Sequence, residues 1–475
     1  MAENIFFVKT FIAGAGAAGL AAAISASSEK SEKTEAAAEA VGKPERSGCA
    51  SEAAESETEV LVADGNDKVG RKLASTGNGK CNFTNISACE DMYNMPEDGF
   101  VRSAFEKWGV RETLDFFGSI GIIARTDETG RCYPYSERAS SVVNALYREA
   151  LRRGCKFILS DRVVSIMRRS DGKFEAVLES GTRVVARNVI IACGGRAAFK
   201  TGSAGDGYGF AKGFGHTLFA PRPALTAVES DDECMSALKG VRAKGKVTLV
   251  EYKLSGSGEL GKRREEEVGG TGEPGASEEC GSLRAAYEES GEIQFTGTGL
   301  SGICVFDLTR YMSEARPAPK KKSAANRGED TGNRVKYKIV CDFVPDMTED
   351  ELYDTMSRIE KKTGTKMREL LGGFVNEKLA EVIADKSEES IRKAARNLKS
   401  FEVSANHTKG WNDAQTTCGG VRREEIESTT MESKLEKGLY FCGEVIDVDG
   451  RCGGFNLQWA WTSGMIAGLN AKKQL

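Results

Sequence analysis

The stretch Ile5–Ala13, followed at once by Gly14-x-Gly16-x-x-Gly19, constrains this chain more than any other feature. Its Ile, Phe and Val content reads as a strand, and residues 20–27 read as a helix. Between the two, each glycine has a physical reason. The first allows a tight turn, the second lets backbone approach a pyrophosphate, and the third lets the helix pack against the strand. The helix N-terminus offers unpaired N–H groups and a partial positive charge to phosphates. A dinucleotide-binding α/β unit is therefore expected, with Ala17 and Ala18 joining Gly14, Gly16 and Gly19 as cofactor contacts.

The rest of such a unit is sought downstream. A second strand, 59–63, ends at Asp64, where an acid accepts ribose hydroxyls about 20 residues past the glycines in the usual spacing. Here the interval is longer, and 28–59, rich in Glu, Ala, Ser and Lys, reads as a polar insertion that loops out. The plainer reading of Asp64 is a turn with Gly65. Residues 68–85, KVGRKLASTGNGKCNFTN, mix basic, glycine and amide side chains. They read as a loop that wraps a cofactor with backbone N–H groups, or else as a solvated basic turn. Residues 190–193 read as a buried strand delivering Gly194 and Gly195 at its carboxyl end, where open α/β sheets bind ligands; Ala192 and Gly194 are expected contacts. In the glycine-dense loop 200–209, Asp206 reads as a helix cap. Near the C-terminus, 438–445 reads as a strand ending in Gly443-Glu444, with the acid placed for a ribityl chain. Asp447 and Asp449 follow; no partner carboxylates support a metal. Gly453 to Gln458 then open a helix whose N-terminus would face a flavin pyrimidine ring.

At 475 residues the chain exceeds one core. The expected class is α/β: a Rossmann-like FAD-binding domain from 1–220 and 405–475, an inserted β-rich domain at 221–345, and a small helical domain at 346–404. Polar insertions are expected at 255–291 and 313–334. An amphipathic helix is expected over 102–118, another helix over 142–153, strands at 156–159, 162–168 and 173–179, and a strand pair over 183–193. The net charge of -4 lacks the basic footprint of a nucleic-acid binder, so no nucleic acid is expected. The 13 cysteines contain no C-x-x-C and only two histidines exist, so no metal site is expected and free thiols in a reducing compartment are. The apolar run FIAGAGAAGLAAAI is too short to span a bilayer, so no membrane partner is expected and a cytoplasmic protein is.

Several motifs stand in a fixed order: GAGAAG, VGRKLASTGNGKCNFTN, ACGGRAAFKTGSAGDGYGFAKGFGHTLFAPRPAL, FTGTGLSGICVFDLTR, AQTTCGGV and TMESKLEKGLYFCGEVIDVDGRCGGFNLQWAWTSGMIAG. With them the chain resembles the BaiN/YhiN-like flavoproteins, also called NAD(P)/FAD-dependent or aminoacetone-oxidase-like oxidoreductases, over most of its length outside the polar insertions. The resemblance implies tightly bound FAD, NAD(P)H as electron donor, and hydride passing through flavin N5 to a small organic substrate, an unsaturated carbonyl compound or an amine. By position it puts Gly14, Gly16, Gly19 and Asp64 on the adenosine half. Arg71, Lys72, Thr76, Gly77, Asn78, Cys81 and Asn82 would lie along the cofactor. Gly443, Glu444, Asp447, Gly454, Asn456 and Leu457 would address the ribityl chain and isoalloxazine. The chain departs from the family in having Asp64 for a glutamate and in its longer insertions.

No catalytic residue follows from the sequence. Tyr133, Tyr135 and His216 are candidate proton donors, each more commonly structural. Cys81, Cys193, Cys418, Cys442 and Cys452 lie beside cofactor motifs without the close spacing of a redox dithiol. A substrate pocket is expected where the FAD domain meets the inserted domains. The alternative reading is an FAD-binding, RNA-associated or interaction protein without small-molecule turnover, which a basic groove would support. Either way, the amino-terminal glycines must meet the Gly443-Glu444 strand.

Overall fold

The expected first strand is present: β1 spans Ile5–Ala13 and leads directly into α1, Ala17–Ala26. The computed structural model describes residues 4–28, 58–253, 284–312 and 335–473. The polar insertion at 313–334, nearly all of that at 28–59 and most of that at 255–291 lie outside the described residues. Two compact units are formed, one from Met1–Pro223 with Trp411–Leu475 and the other from Ala224–Gly410.

The first unit is built on a seven-stranded sheet. Six of its strands are β1, β2 (Thr58–Asp64), β3 (Lys156–Leu159), β4 (Val163–Arg168), β5 (Phe174–Leu178) and β6 (Arg183–Ile191), in the order β3-β2-β1-β6-β5-β4, and the seventh is Leu439–Phe441. Along one edge β6 pairs in parallel with β1, from Ile5↔Arg183 to Ala13↔Ile191. Its other edge is shared. The first half pairs antiparallel with β5, and the last three residues pair in parallel with the C-terminal strand Leu439–Phe441. The 183–193 segment is thus one strand and not a pair. Its apolar end, Val189–Ile191, is buried throughout, as suits the part flanked by parallel partners on both sides.

Small residues decide how the helices pack. From Ala18 to Ala26 every residue of α1 is buried. It lies against the last helix, Phe455–Lys473, closely enough that a Cβ on Gly468 would meet Ser25 Oγ and Ala22 O within 2.1 and 2.3 Å. That last helix is also pinned by its polar side chains. Trp461 Nε1 donates to Phe83 O at 2.7 Å, and Gln458 joins Thr84, Thr113 and Thr462 through its amide. The expected helix over 102–118 is two helices, Phe100–Phe105 and Val110–Ser119. Gly109, a poor helix former, takes an extended conformation between them, and its N–H donates to Glu112 Oε2, capping the second helix.

The second unit has a seven-stranded antiparallel sheet. Its two long strands, Arg242–Lys253 and Arg284–Phe295, pair with each other, and the latter takes in the end of the stretch read as a polar insertion. Helices Glu349–Thr363, Met367–Leu371, Glu377–Ser387 and Ile391–Lys399 fold onto this sheet. Leu352, Ile383 and Leu398 share one buried core with Ile339, Phe401 and Val403.

The α1 contact gives a test with a sign. In an exposed helix Gly→Ala stabilises by about 0.5–1 kcal/mol. Gly468→Ala is expected to destabilise instead, by about 1–3 kcal/mol, because the added carbon overlaps backbone it cannot displace. A lower urea midpoint for the variant checks this.

Candidate functional site

The parallel strands deliver their carboxyl ends to one edge of the sheet, and the turn after β1 is shaped there. Gly14 has φ +110°, donates its N–H to Ala63 O at 2.8 Å, and passes so near β6 that a Cβ would sit 2.5 Å from Ala192 O. Gly16, just ahead of α1, has ordinary backbone angles and nothing within 4 Å of where its Cβ would be. Leu20 N–H donates to Gly16 O, so the N–H groups of Ala17, Ala18 and Gly19 precede the helical ladder. Beside them lies Asp64. Its Oδ2 accepts from Ala15 N–H at 2.7 Å, and its Oδ1 accepts from the backbone and side-chain nitrogens of Asn66. A carboxylate has about four acceptor positions, so one remains open. Arg71, exposed, donates to Asn66 Oδ1.

One carboxylate ties four separate segments together. Glu444 Oε2 is 2.7 Å from Lys72 Nζ, and its Oε1 accepts from Thr417 N–H and Thr417 Oγ1 at 3.0 and 2.7 Å. Thr417 Oγ1 in turn accepts from the N–H groups of Arg196 and Ala197. The loop after Gly194 is thereby fastened to the Gly443-Glu444 turn. The Gly443 N–H donates to Ser463 Oγ, its carbonyl accepts from Trp459 Nε1, and a Cβ there would lie 2.8 Å from the Cβ of Ala18. The amino-terminal glycines and the carboxy-terminal strand therefore meet.

The loop at 68–85 curls over the start of the last helix. Gly77 and Asn78 both adopt left-handed conformations and are exposed, and Thr76 Oγ1 donates to Leu73 O. Cys81 is buried, which pushes its thiol up to about 12. Asn82 Oδ1 is buried and has no hydrogen-bond partner among the described residues; it lies 2.8 Å from where a Gly454 Cβ would be. Gln458 N–H makes the first helical bond, to Gly454 O, leaving the N–H groups of Phe455, Asn456 and Leu457 ahead of the ladder. The Asn456 side chain binds its own loop, through Gly450 N–H, Gly450 O and Arg451 O. Open space at one helix N-terminus and an orphaned acceptor at another suit a long ligand with an anionic middle and a donor-bearing ring.

Tyr135 is exposed. His216 is buried, with Nδ1 3.1 Å from Glu425 Oε2 and Nε2 2.8 Å from Ser433 Oγ. Burial lowers the ring's affinity for a proton, with Glu425 opposing. Both nitrogens are engaged, and Ser433 Oγ also accepts two backbone N–H groups, so this trio is a structural clasp. Burial pushes the thiols of Cys193 and Cys442 well above the usual range, which keeps them unreactive near neutral pH. Asp206 is not the cap of its helix: Gly205 takes that position and Asp206 is paired with Arg162. Among the described residues no group of three potential metal ligands is present, and no helix is long and apolar enough to cross a membrane.

Sequence reasoning missed Asn66, Thr417, Asn94 and Arg423. Asn94 fastens the loop after Glu444, its amide reaching Asp447 Oδ1 at 3.3 Å and its Oδ1 accepting from Asp449 N–H. Arg423, 1% exposed, donates to Asn94 O and lies 3.1 Å from Asp98 Oδ2. Only Thr417 had a visible signal, the TTCGGV run; the others sit in unremarkable polar sequence.

Residues 47–470 match the family described as HI0933-like protein Rossmann domain. A 3-dehydro-bile acid delta(4,6)-reductase of Clostridium scindens is 30% identical over 88% of this chain and 94% of its own length. Ribosomal RNA dihydrouridine synthases of Haemophilus influenzae and Escherichia coli are 28% and 26% identical, over 90% and 87% of this chain and 96% and 92% of theirs.

Two expectations follow from the site. Gly16→Ala should leave unfolding free energy within about 0.5 kcal/mol of wild type, because its Cβ enters open space, yet cut FAD affinity about tenfold or more. Gly14→Ala should lower stability itself, and denaturation of FAD-free protein with fluorescence-detected FAD titration separates the two. For His216, the folded-state pKa lies below the unfolded 6.5, so its stabilisation is present above that pH and is lost as pH falls through it. The stability advantage of wild type over His216→Asn should shrink from pH 7.5 to pH 5 in urea titrations.

Proposed function

Because the chain belongs to the HI0933-like family, the BaiN/YhiN-like group of Rossmann-fold flavoproteins, we propose that this FAD-dependent oxidoreductase reduces a carbon–carbon double bond conjugated to a carbonyl, using NAD(P)H as electron donor. The observation that carries the reaction class is the pair of chemistries named in relatives matched along nearly their whole length. A delta(4,6)-reductase acting on a 3-dehydro-bile acid and a synthase making dihydrouridine both saturate a C=C bond next to a carbonyl system. This favours the unsaturated carbonyl class over the amine class.

The residues on the sheet edge suit this role. Gly14, Gly16, Ala17, Ala18 and Gly19 would seat the pyrophosphate on the α1 N-terminus, where the helix charge contributes about 0.3–1 kcal/mol, rising to about 2 where partly buried. Asp64 would use its open acceptor position for a ribose hydroxyl, with Ala192 and Gly194 forming the floor. Lys72, Thr76, Gly77, Asn78, Cys81 and Asn82 would line the cofactor from the loop side, with Arg71 at the adenosine end. Glu444, already held from two sides by Lys72 and Thr417, would meet the ribityl hydroxyls with little further loss of side-chain freedom. The N–H groups of Asn456 and Leu457, with Gly454 ahead of them, would meet the pyrimidine edge, and Asn82 Oδ1 would gain the donor it lacks. When bound, the flavin supplies hydride transfer through N5; the chain binds, orients and excludes water.

Substrate size divides the two relatives' chemistries. The net charge of -4 gives no general attraction for an RNA backbone, which favours a small unsaturated acid or ketone. The test is anaerobic stopped-flow. NADH or NADPH should bleach the bound flavin, and a 3-keto-4-ene steroid acid should restore its colour. No bleaching by either donor would remove the nicotinamide-linked reading. Recolouring by uridine-containing ribosomal RNA but not by the steroid would move the substrate to RNA.

A further inference from the structure

Between the Glu444 turn and the last helix lies a cluster of buried charge. Asp447, Asp449 and Arg423 are 5%, 2% and 1% exposed. Asp447 Oδ1 accepts from Gly419 N–H at 3.0 Å and from Asn94 Nδ2 at 3.3 Å, and its own N–H donates to Val421 O. Arg423 donates through Nη2 to Asn94 O, lies 3.1 Å from Asp98 Oδ2 through Nη1, and has its guanidinium carbon 5.9 Å from the Phe100 ring centre. Its Nε and Nη1 have no well-directed hydrogen bond among the described residues. The groups bearing on Asp447 come from every side: Arg423 and Arg222 attract its negative charge, Asp449 repels it, and the buried phenol of Tyr208 lies within its field.

We propose that Asp447 takes up a proton from solvent when the bound flavin gains its electron pair, making this buried cluster the counter-charge of the flavin. The inference rests on the reading that FAD lies across the Glu444 turn and the N-terminus of the last helix. Asp447 is in the ten-residue connection between those two points, in surroundings from which water is excluded, so negative charge gained on the ring raises the cost of a second negative charge nearby. The carboxyl already holds a proton more readily than a free one. Burial outweighs Arg423 and pushes it up to about 6, so a modest further push protonates it at neutral pH. The balance is simple. Two electrons and one proton go to the flavin, and one more proton forms the O–H bond of the Asp447 carboxyl. Attraction to Arg423 keeps the deprotonated form accessible in the oxidised protein.

The readout is a midpoint potential against pH, measured on FAD-loaded full-length protein from about pH 6 to pH 8. For a two-electron couple each proton taken up moves the midpoint by about 30 mV per pH unit. Wild type should therefore run about twice as steep as Asp447→Asn over part of this range. The difference between the two proteins is decisive, since the flavin can itself take a second proton in both. Equal slopes would overturn the proposal. Should Asp447→Asn fail to fold or to hold FAD, a redox-difference infrared spectrum of wild type labelled with carbon-13 aspartate decides the matter. A protonated-carboxyl band appearing on reduction supports the proposal, and its absence overturns it. Wild-type protein that binds no FAD would instead defeat the functional reading.

Discussion

The structure of the first unit depends on the pairing of β6 with two partners that are distant in sequence. Along one edge it hydrogen-bonds β1, and along the other its last three residues hydrogen-bond Leu439–Phe441. Parallel pairing has no tight hairpin to enforce it, so it requires burial on both faces. Burial is provided by apolar strands and by helices of small residues, α1 above all. The same register places the turns after Ala13, Asp64, Ile191 and Phe441 side by side. A site assembled from four remote segments follows from the order of strands in one sheet.

Electrostatics then shapes that edge. Two helix N-termini present N–H groups ahead of their hydrogen-bond ladders to it, and one carboxylate, Glu444, is gripped by Lys72 and Thr417. The Lys72–Glu444 contact joins residues 372 positions apart. With both side chains largely shielded, the ion pair is less screened than one on open surface, and it locks the loop after β2 against the C-terminal turn before any ligand arrives. Asp64 is held in the same way, by the backbone of Ala15 and by Asn66.

Much of this was legible in the sequence, and the reason is locality. Strand, glycine turn and helix at 5–27 are written in period and residue type, as is the strand end at Asp64; the strand read as running to Glu444 stops at Phe441, and Glu444 lies in the turn that follows. Where the reading went astray, a local pattern was overruled by one residue or by a distant neighbour. The 102–118 stripe has a helical period, but Gly109 and its partner Glu112 split it. The apolar run at 183–193 resembled two strands because a central strand buried on both faces loses its alternation. His216, weighed as a proton donor but read as more commonly structural, is held between Glu425 and Ser433, an arrangement of the structural kind.

By itself the sequence determined the dinucleotide turn, the acids that close the parallel strands and the order of the flavoprotein motifs, since each depends on residues within a few positions of one another. Only the tertiary structure decided which charges share a burial site. Arg423 carries no motif, and Asn94 sits in an ordinary polar stretch, yet the two enclose Asp447 and change what its carboxyl can do. The physical reason is that the proton affinity of a buried group is set by its surroundings in space, by lost water and nearby charge, and neither is encoded in adjacent residues.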